Sequence, residues 1–302
     1  MPTPLTLLPE PLASGPFSTA AARDQGVSAA RLRHRRLATP FHGARVLGPA
    51  PAPTDMQARA LALASVLDRR HIFGGTTALR LCGVDVPARL RHEQTLHLVV
   101  VSPGARVRRA GVTCRVVPRY GRVRTLASGL VVTSGPTTFL HLARDLTLEE
   151  MIEVGDALTR RRNPVTNLEH LRAHVGGSPP CAGLRTARQA LELVVPGTDS
   201  MPETTLRRII ERAGLPRPAV NAPAYADGAY LGRPDLSYPD LKIAIEYLGD
   251  VHRTDRRTWR IDVERHQRFR DAGWTVHEAT GATLVDPRSL LARLRSAHTH
   301  LG

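Results

Sequence analysis

Two short runs of this chain carry the residue types of a hydrolytic metal site. The first is Arg233-Pro234-Asp235-Leu236, and the second runs from Ile243 through Glu246 to His252. Each reads as a strand, with Tyr238-Pro239-Asp240-Leu241 as a Pro-containing turn between them. Each strand holds a carboxylate where an apolar residue is the cheaper choice. A turn centred between Pro239 and Asp240 sets Glu246 opposite Arg233 and one diagonal step from Asp235. Strand alternation then puts Asp235 and Glu246 on one face, and Pro234, Leu236, Ile243 and Ile245 on the other. Diagonal neighbours have Cβ atoms roughly 7 Å apart, so the two carboxylates can converge on one hard cation, Mg²⁺ or Mn²⁺. Such a cation activates water and offsets phosphate charge in phosphodiester hydrolysis.

The residues from about Ser200 to Leu294 resemble the PD-(D/E)XK restriction-endonuclease-like superfamily, in particular its Vsr-like domain of unknown function. The matching pieces are Glu203 on a first helix, Pro234-Asp235, Glu246 with Gly249 and His252, Asp262 and Arg265 on a helix, and Gly273-Trp274 before a last strand. The resemblance implies catalytic roles for Asp235, Glu246, His252 and Glu203, with Asp235 and Glu246 as metal ligands. The family pattern places Lys, Gln or Asp two residues after the second acid, where this chain has Leu248. Leucine neither ligates a metal nor orients water. Asp250 and His252 lie just beyond it and carry the polar groups that the chemistry needs.

Several of these residues have structural alternatives. Ser200-Met201-Pro202-Glu203 is a capping box with Pro in the first turn, which gives Glu203 a role in helix initiation. Asp262 and Arg265 are spaced for an ion pair along a helix starting near Thr254 or Asp255. Trp259, Val263, His266 and Phe269 recur at helical spacing as core contacts. Lys242 is the one lysine of the chain and reads as a solvated charge at a strand edge.

The elements that must position these groups follow from pattern. The C-terminal part, residues 199–302, reads as helix, strand, strand, helix, strand, helix. Its last strand is Trp274 to Ala279, and its last helix starts at Asp286-Pro287. Before it, residues 55–198 read as a mixed α/β region. Helices are expected over 56–67, 76–81, 139–146, 148–160 and 184–194, and strands over 95–101 and 107–117. Gly48-Pro49-Ala50-Pro51-Ala52-Pro53 marks a linker at 48–54. Within 17–47, Ser18 caps one short helix ended by Gly26, a second runs from Ser28 to Leu37, and Pro40 to Val46 makes a wing strand. This segment resembles the winged helix-turn-helix of AbiEi-type antitoxins, and the layout with 55–198 resembles actinobacterial proteins that join such a start to a nuclease-like end. The resemblance implies DNA contact by Arg31, Arg33, Arg35 and Arg36. Residues 1–16 are Pro-rich and read as a loose tail. The fold class is α/β in the broad sense, a multi-domain α+β chain.

Composition bounds the partners. The net charge is +15, which favours a polyanion, nucleic acid first. Arginine so dominates the basic residues that a GC-rich coding bias contributes, yet guanidinium groups contact phosphates whatever their origin. Aromatics are 4% of residues, which disfavours recognition by base stacking. Cys82, Cys114 and Cys181 have neither zinc nor disulfide spacing. No apolar run suits a membrane, and the N-terminus lacks the pattern of a signal peptide. The expectation is a cytoplasmic DNA-binding protein with a metal-dependent endonuclease domain. The alternative is a non-catalytic, antitoxin-like regulator in which the nuclease fold serves binding to DNA, a toxin partner or a second copy.

Overall fold

The computed structural model describes residues 8–249 and 256–299, apart from the side chains of 11 and 256–263. Expectations for Asp250, His252 and the side chains of Trp259, Asp262 and Val263 lie outside the described residues. The chain has an α+β fold and forms two compact units, Met1–Leu142 and Ala143–Gly302. That division falls inside the 55–198 segment, so the later helices of the segment belong with the C-terminal strands.

The first unit begins with α1 (Glu10–Ala13), β1 (Phe17–Ser18), α2 (Thr19–Asp24), α3 (Ala29–Leu32), β2 (Leu37–Ala38) and β3 (Ala44–Leu47). Strand β3 pairs antiparallel with β1 on one side and β2 on the other. Ser18 and Ser28 cap α2 and α3 by accepting from the N–H groups of Ala21 and Arg31. Three expectations change here. Leu8 and Leu12 are buried with Phe17, Val27, Leu32 and Leu37, so the end of the Pro-rich segment belongs to a core. The second helix stops after Leu32 instead of reaching Leu37. The Arg33 and His34 amides bond three residues back, to Ala30 and Arg31, and this tightening turns the chain so that Leu37 rejoins the core. The wing is a small sheet, because β1 precedes the helices and pairs with β3.

The rest of this unit holds α4 (Met56–Ala64), β4 (Ile72–Phe73), α5 (Gly75–Leu81), β5 (Leu96–Val100), β6 (Val112–Val116), β7 (Val123–Thr125), β8 (Val131–Thr133) and α6 (Gly135–Leu142). The five strands lie in the order β6-β5-β4-β8-β7, with β5–β6 and β4–β8 parallel. Leu63, Phe73, Leu96, Leu98 and Val132 form its core. The strand expected over 107–117 is confined to β6, since a 3₁₀ turn at Pro103–Ala105 and a loop occupy the preceding residues. Helix α6 starts earlier than Phe139, with Pro136 in its first turn.

The second unit contains α7 (Leu148–Leu158), α8 (Leu168–Gly176), α9 (Leu184–Leu193) and α10 (Met201–Arg212), then β9 (Ala219–Val220), β10 (Ala224–Ala226), β11 (Ala229–Gly232), β12 (Leu236–Tyr238) and β13 (Ile243–Tyr247). It ends with α11 (Arg256–Asp271), β14 (Thr275–Ala279), α12 (Gly281–Val285) and α13 (Arg288–Thr299). Strands β14-β13-β12-β9 form one sheet, with β13–β14 parallel and the other pairs antiparallel. Strands β10 and β11 form a separate hairpin. On one face of the sheet, Leu236, Tyr238, Ile243 and Ile245 pack against Leu206 and Ile210 of α10 and Leu290, Leu291 and Leu294 of α13. On the other, Ala244 packs with Leu231, Phe269 and Trp274. Helix α7 is started by a capping box between Thr147 and Glu150. It is tied to α10 by the fully buried ion pair of Asp156 and Arg207 at 2.7 Å.

Candidate functional site

The register of the β12–β13 hairpin decides where the carboxylates meet. Leu236 pairs with Ile245, Ser237 with Ala244 and Tyr238 with Ile243. One further step in that register sets Asp235 across from Glu246. The expected diagonal placement, with Arg233 opposite Glu246, is therefore corrected by two residues. The cause is the turn. Pro239–Leu241 is a 3₁₀ turn closed by Lys242 in the left-handed conformation, φ 50° and ψ 47°, which moves the hairpin centre to between Asp240 and Leu241. A one-residue change of centre moves every pair by two and preserves the face. Lys242 consequently belongs to the turn and not to the acidic face.

Asp235 lies one residue before β12, in a bend, so its placement across from Glu246 extends the paired register by a single step. Glu246 is 3% exposed, and its Oε2 lies 3.2 Å from the Arg265 Nη2 of α11. Asp235 accepts a 2.7 Å hydrogen bond at Oδ2 from the Tyr247 N–H. Burial, together with the negative charge of Glu203, raises the Asp235 carboxyl to about 7. Gly232, with φ +153°, faces α11, and a Cβ there would lie 3.1 Å from Phe269 and 3.2 Å from Arg265. The absence of a side chain lets the Arg265 stem lie close to β11.

Ser200 caps α10 as the sequence suggests, but the Glu203 carboxylate reaches back to the Asp199 N–H and not to that of Ser200, so the capping box is incomplete. Its amide bonds the Ser200 Oγ at 3.4 Å, and its Oε1 accepts from the Ser200 hydroxyl at 2.8 Å. Its Oε2 accepts from the Asp199 N–H and from the Asn221 side-chain amide, each at 2.9 Å. The carboxyl is 5% exposed, and burial raises its pKa. Asn221 links this group to the strand, because its own N–H donates to the Asp235 carbonyl at 2.9 Å. Arg233 donates to the Asn221 carbonyl. Sequence reasoning missed Asn221. Its one available signal is a small amide residue between a short strand and Pro223, a residue type that tolerates the left-handed φ of 45° found there.

The remaining candidates fall into place around this centre. The Leu248 side chain is half-buried, and its N–H continues the parallel ladder to the Ala279 carbonyl at 2.7 Å. His266, expected as a core contact, is buried, with Nδ1 3.3 Å from Glu278. Phe269 stacks edge-on against Trp274. In the first unit Arg33, Arg35 and Arg36 are exposed and Arg31 is half-buried, on a helical segment of one turn and the loop that follows it. Among the described residues, no three His, Cys, Asp or Glu side chains gather as a metal cluster. Asp235 and Glu246 nevertheless offer hard oxygen donors of the type that Mg²⁺ takes, with substrate and water completing its shell. No helix of the described residues is long and apolar enough to cross a membrane.

The fold and site together define a two-unit α+β protein with a buried carboxylate centre at a strand–strand junction. No family model matches the chain, and no solved structure gives a significant match. The chain is similar to two curated Mycobacterium tuberculosis proteins. These are the uncharacterized protein MT2308 of strain CDC 1551 / Oshkosh and the uncharacterized protein Rv2248 of strain ATCC 25618 / H37Rv. Each is 27% identical over 201 residues, covering 66% of this chain and 70% of the relative.

Proposed function

We propose that this chain is a cytoplasmic DNA-binding protein whose second unit hydrolyses phosphodiester bonds with Mg²⁺ or Mn²⁺. The observation that carries the reading is the gathering of Asp235, at the start of β12, and Glu246 of the adjacent β13 on one face, with Glu203 near enough to raise the Asp235 pKa. A cluster of three acids faced by a single arginine is stabilised by a divalent cation, which would supply water activation and phosphate charge compensation. Asp235 and Glu246 would hold it. Glu203 orients the segment through Asn221, and Arg265 neutralises Glu246.

The order of elements supports the same reading: a helix bearing Glu203, an antiparallel pair bearing the two acids, then a helix and a strand parallel to the second acidic strand. The test is cleavage of supercoiled plasmid by the purified chain with Mg²⁺ or Mn²⁺, beside Asp235→Ala and Glu246→Ala. Metal-dependent nicking that disappears in both variants supports the reading; wild-type protein that binds DNA without nicking it at any metal concentration defeats it.

One observation favours a second reading. Leu248 stands where a water-orienting residue is needed, and Arg265 already supplies a cation to Glu246. On that basis the unit serves as a non-catalytic binding module of an antitoxin-like regulator. The same assay separates the two readings, because the regulator binds the plasmid and nicks it at no metal concentration.

A further inference from the structure

The first unit contains a cleft of about 740 Å³ between the N-terminal layer and the loops at 65–71 and 104–109. Its walls carry Arg70, Arg106, Arg108 and Arg109, with His42 and His71, against a single acid, Asp68. The charges differ in how they are used. Arg70 is paired with Asp68 through an Nε–Oδ2 bond of 2.9 Å. The His71 ring bridges an Asp68 carboxylate oxygen and the Ala105 carbonyl, each at 2.9 Å. Arg109 donates to the His42 carbonyl and so ties the loop to the N-terminal layer.

Arg106 and Arg108 are left over. Both are exposed, and among the described residues neither side chain has an ion pair or hydrogen bond, the Arg106 N–H alone donating to the Pro103 carbonyl. Arg106 has extended backbone, φ −61° and ψ 128°, and Val107 turns inward onto the core of the unit. The two guanidinium groups therefore flank an anchored residue on a loop fixed at both ends, by Ala105 and by Arg109. A pre-positioned pair of unpaired cations beside further basic groups is a phosphate-binding arrangement. No Phe, Tyr or Trp lines the cleft, so nothing in it can stack on splayed bases. The α3 segment, by contrast, is one turn long and cannot fill a major groove as a recognition helix does.

We infer that this cleft, with Arg106 and Arg108 as its contact residues, seats the phosphodiester backbone of duplex DNA and supplies much of the chain's non-specific affinity. The inference shares with the proposed function only its partner. It requires neither metal nor cleavage.

The test is fluorescence anisotropy of a short labelled DNA duplex of mixed sequence with the full chain, in EDTA, across a salt titration. Wild type, Arg106→Gln/Arg108→Gln and Arg33→Gln/Arg35→Gln are compared, with an RNA duplex of the same sequence alongside. The Arg106/Arg108 variant should bind roughly tenfold or more weakly, with the slope of log K against log salt reduced by about 1.8, for two lost phosphate contacts. The measurement is made in EDTA and reads binding alone, so a failed nuclease reading leaves this result intact. An unchanged slope and affinity in the Arg106/Arg108 variant overturns the inference. So does a loss confined to the Arg33/Arg35 variant, or a preference for the RNA duplex. Both replaced side chains are exposed and unbonded, and an unchanged circular dichroism spectrum and melting temperature certify the fold.

Discussion

Two groups of buried and half-buried carboxylates in the second unit differ in how their charges are met. Between α7 and α10, Asp156 meets Arg207 at 2.7 Å, with neither side chain exposed. It also accepts from the Thr204 hydroxyl and the Val195 N–H, each at 2.8 Å. Glu211 and Glu149 continue this network through Arg207, Arg208 and Arg217. Around β12 and β13, Glu203 and Asp235 are held by neutral donors alone among the described residues, namely Ser200, the Asp199 N–H, Asn221 and the Tyr247 N–H. The first group sets three acids against three arginines and acts as structure, although burial still raises the Asp156 pKa. In the second, Arg265 meets Glu246 while burial and mutual repulsion raise Asp235 and Glu203, a charge deficit that costs stability and survives where a ligand compensates it. Burial of an acid does not by itself mark a site; its partners decide.

The largest expected effect comes from breaking the matched group. Arg207→Ala leaves Asp156 buried without its counter-ion and should destabilise the chain by about 3–5 kcal/mol. Urea denaturation followed by circular dichroism measures this, and a loss no larger than that of a surface substitution would erase the contrast between the two groups.

Asp235→Asn should act in the opposite direction. A folded pKa of about 7 lies above the unfolded value, so the fold prefers the protonated acid. The penalty is absent below about pH 4, grows as pH rises towards 7 and is constant above it. At pH 8 the Asn variant should be more stable than wild type by on the order of 2–4 kcal/mol, with the gain gone near pH 4. Denaturation at the two pH values checks the sign. Added Mg²⁺ should then narrow the gap at pH 8 by stabilising wild type alone.

A smaller effect sharpens the packing side of the comparison. Gly232→Ala puts a Cβ 3.1–3.3 Å from Phe269 and Arg265, at a φ of +153°. It should cost about 1–3 kcal/mol and loosen the Arg265–Glu246 contact, which a change in the pH dependence of stability would register. The smallest effect belongs to the exposed N-terminal arginines. Arg33→Ala and Arg35→Ala should leave the denaturation midpoint where it is, and a clear shift would mean that these side chains pack instead of facing solvent.

Much of the second unit is legible in the sequence because its signals are local. Ser200 before α10, Thr147 before α7 and Gly273 after α11 are cap chemistry, and the face shared by Asp235 and Glu246 follows from a period of two. Helix α8 escapes the pattern, since Leu171 and Val175 are its only buried side chains. Strand β9 and the β10–β11 hairpin are too short for periodicity to register. In the first unit the error runs the other way. The Arg-rich stretch after Ser28 has the composition of a longer helix, but burial of Leu37 in the small N-terminal core overrides propensity and ends α3 at Leu32.

The sequence by itself determined that Asp235 and Glu246 share a face and where several helices begin; the buried Asp156–Arg207 pair left no signal in it. Tertiary structure alone decided the register that sets Asp235 against Glu246. The Pro239–Leu241 turn has more than one closure, and the left-handed conformation of Lys242 selects among them. Tertiary structure also decided that Arg265 reaches Glu246 and that Asn221 joins Glu203 to Asp235. Those contacts span many residues of chain and exist only once the helices close over the sheet.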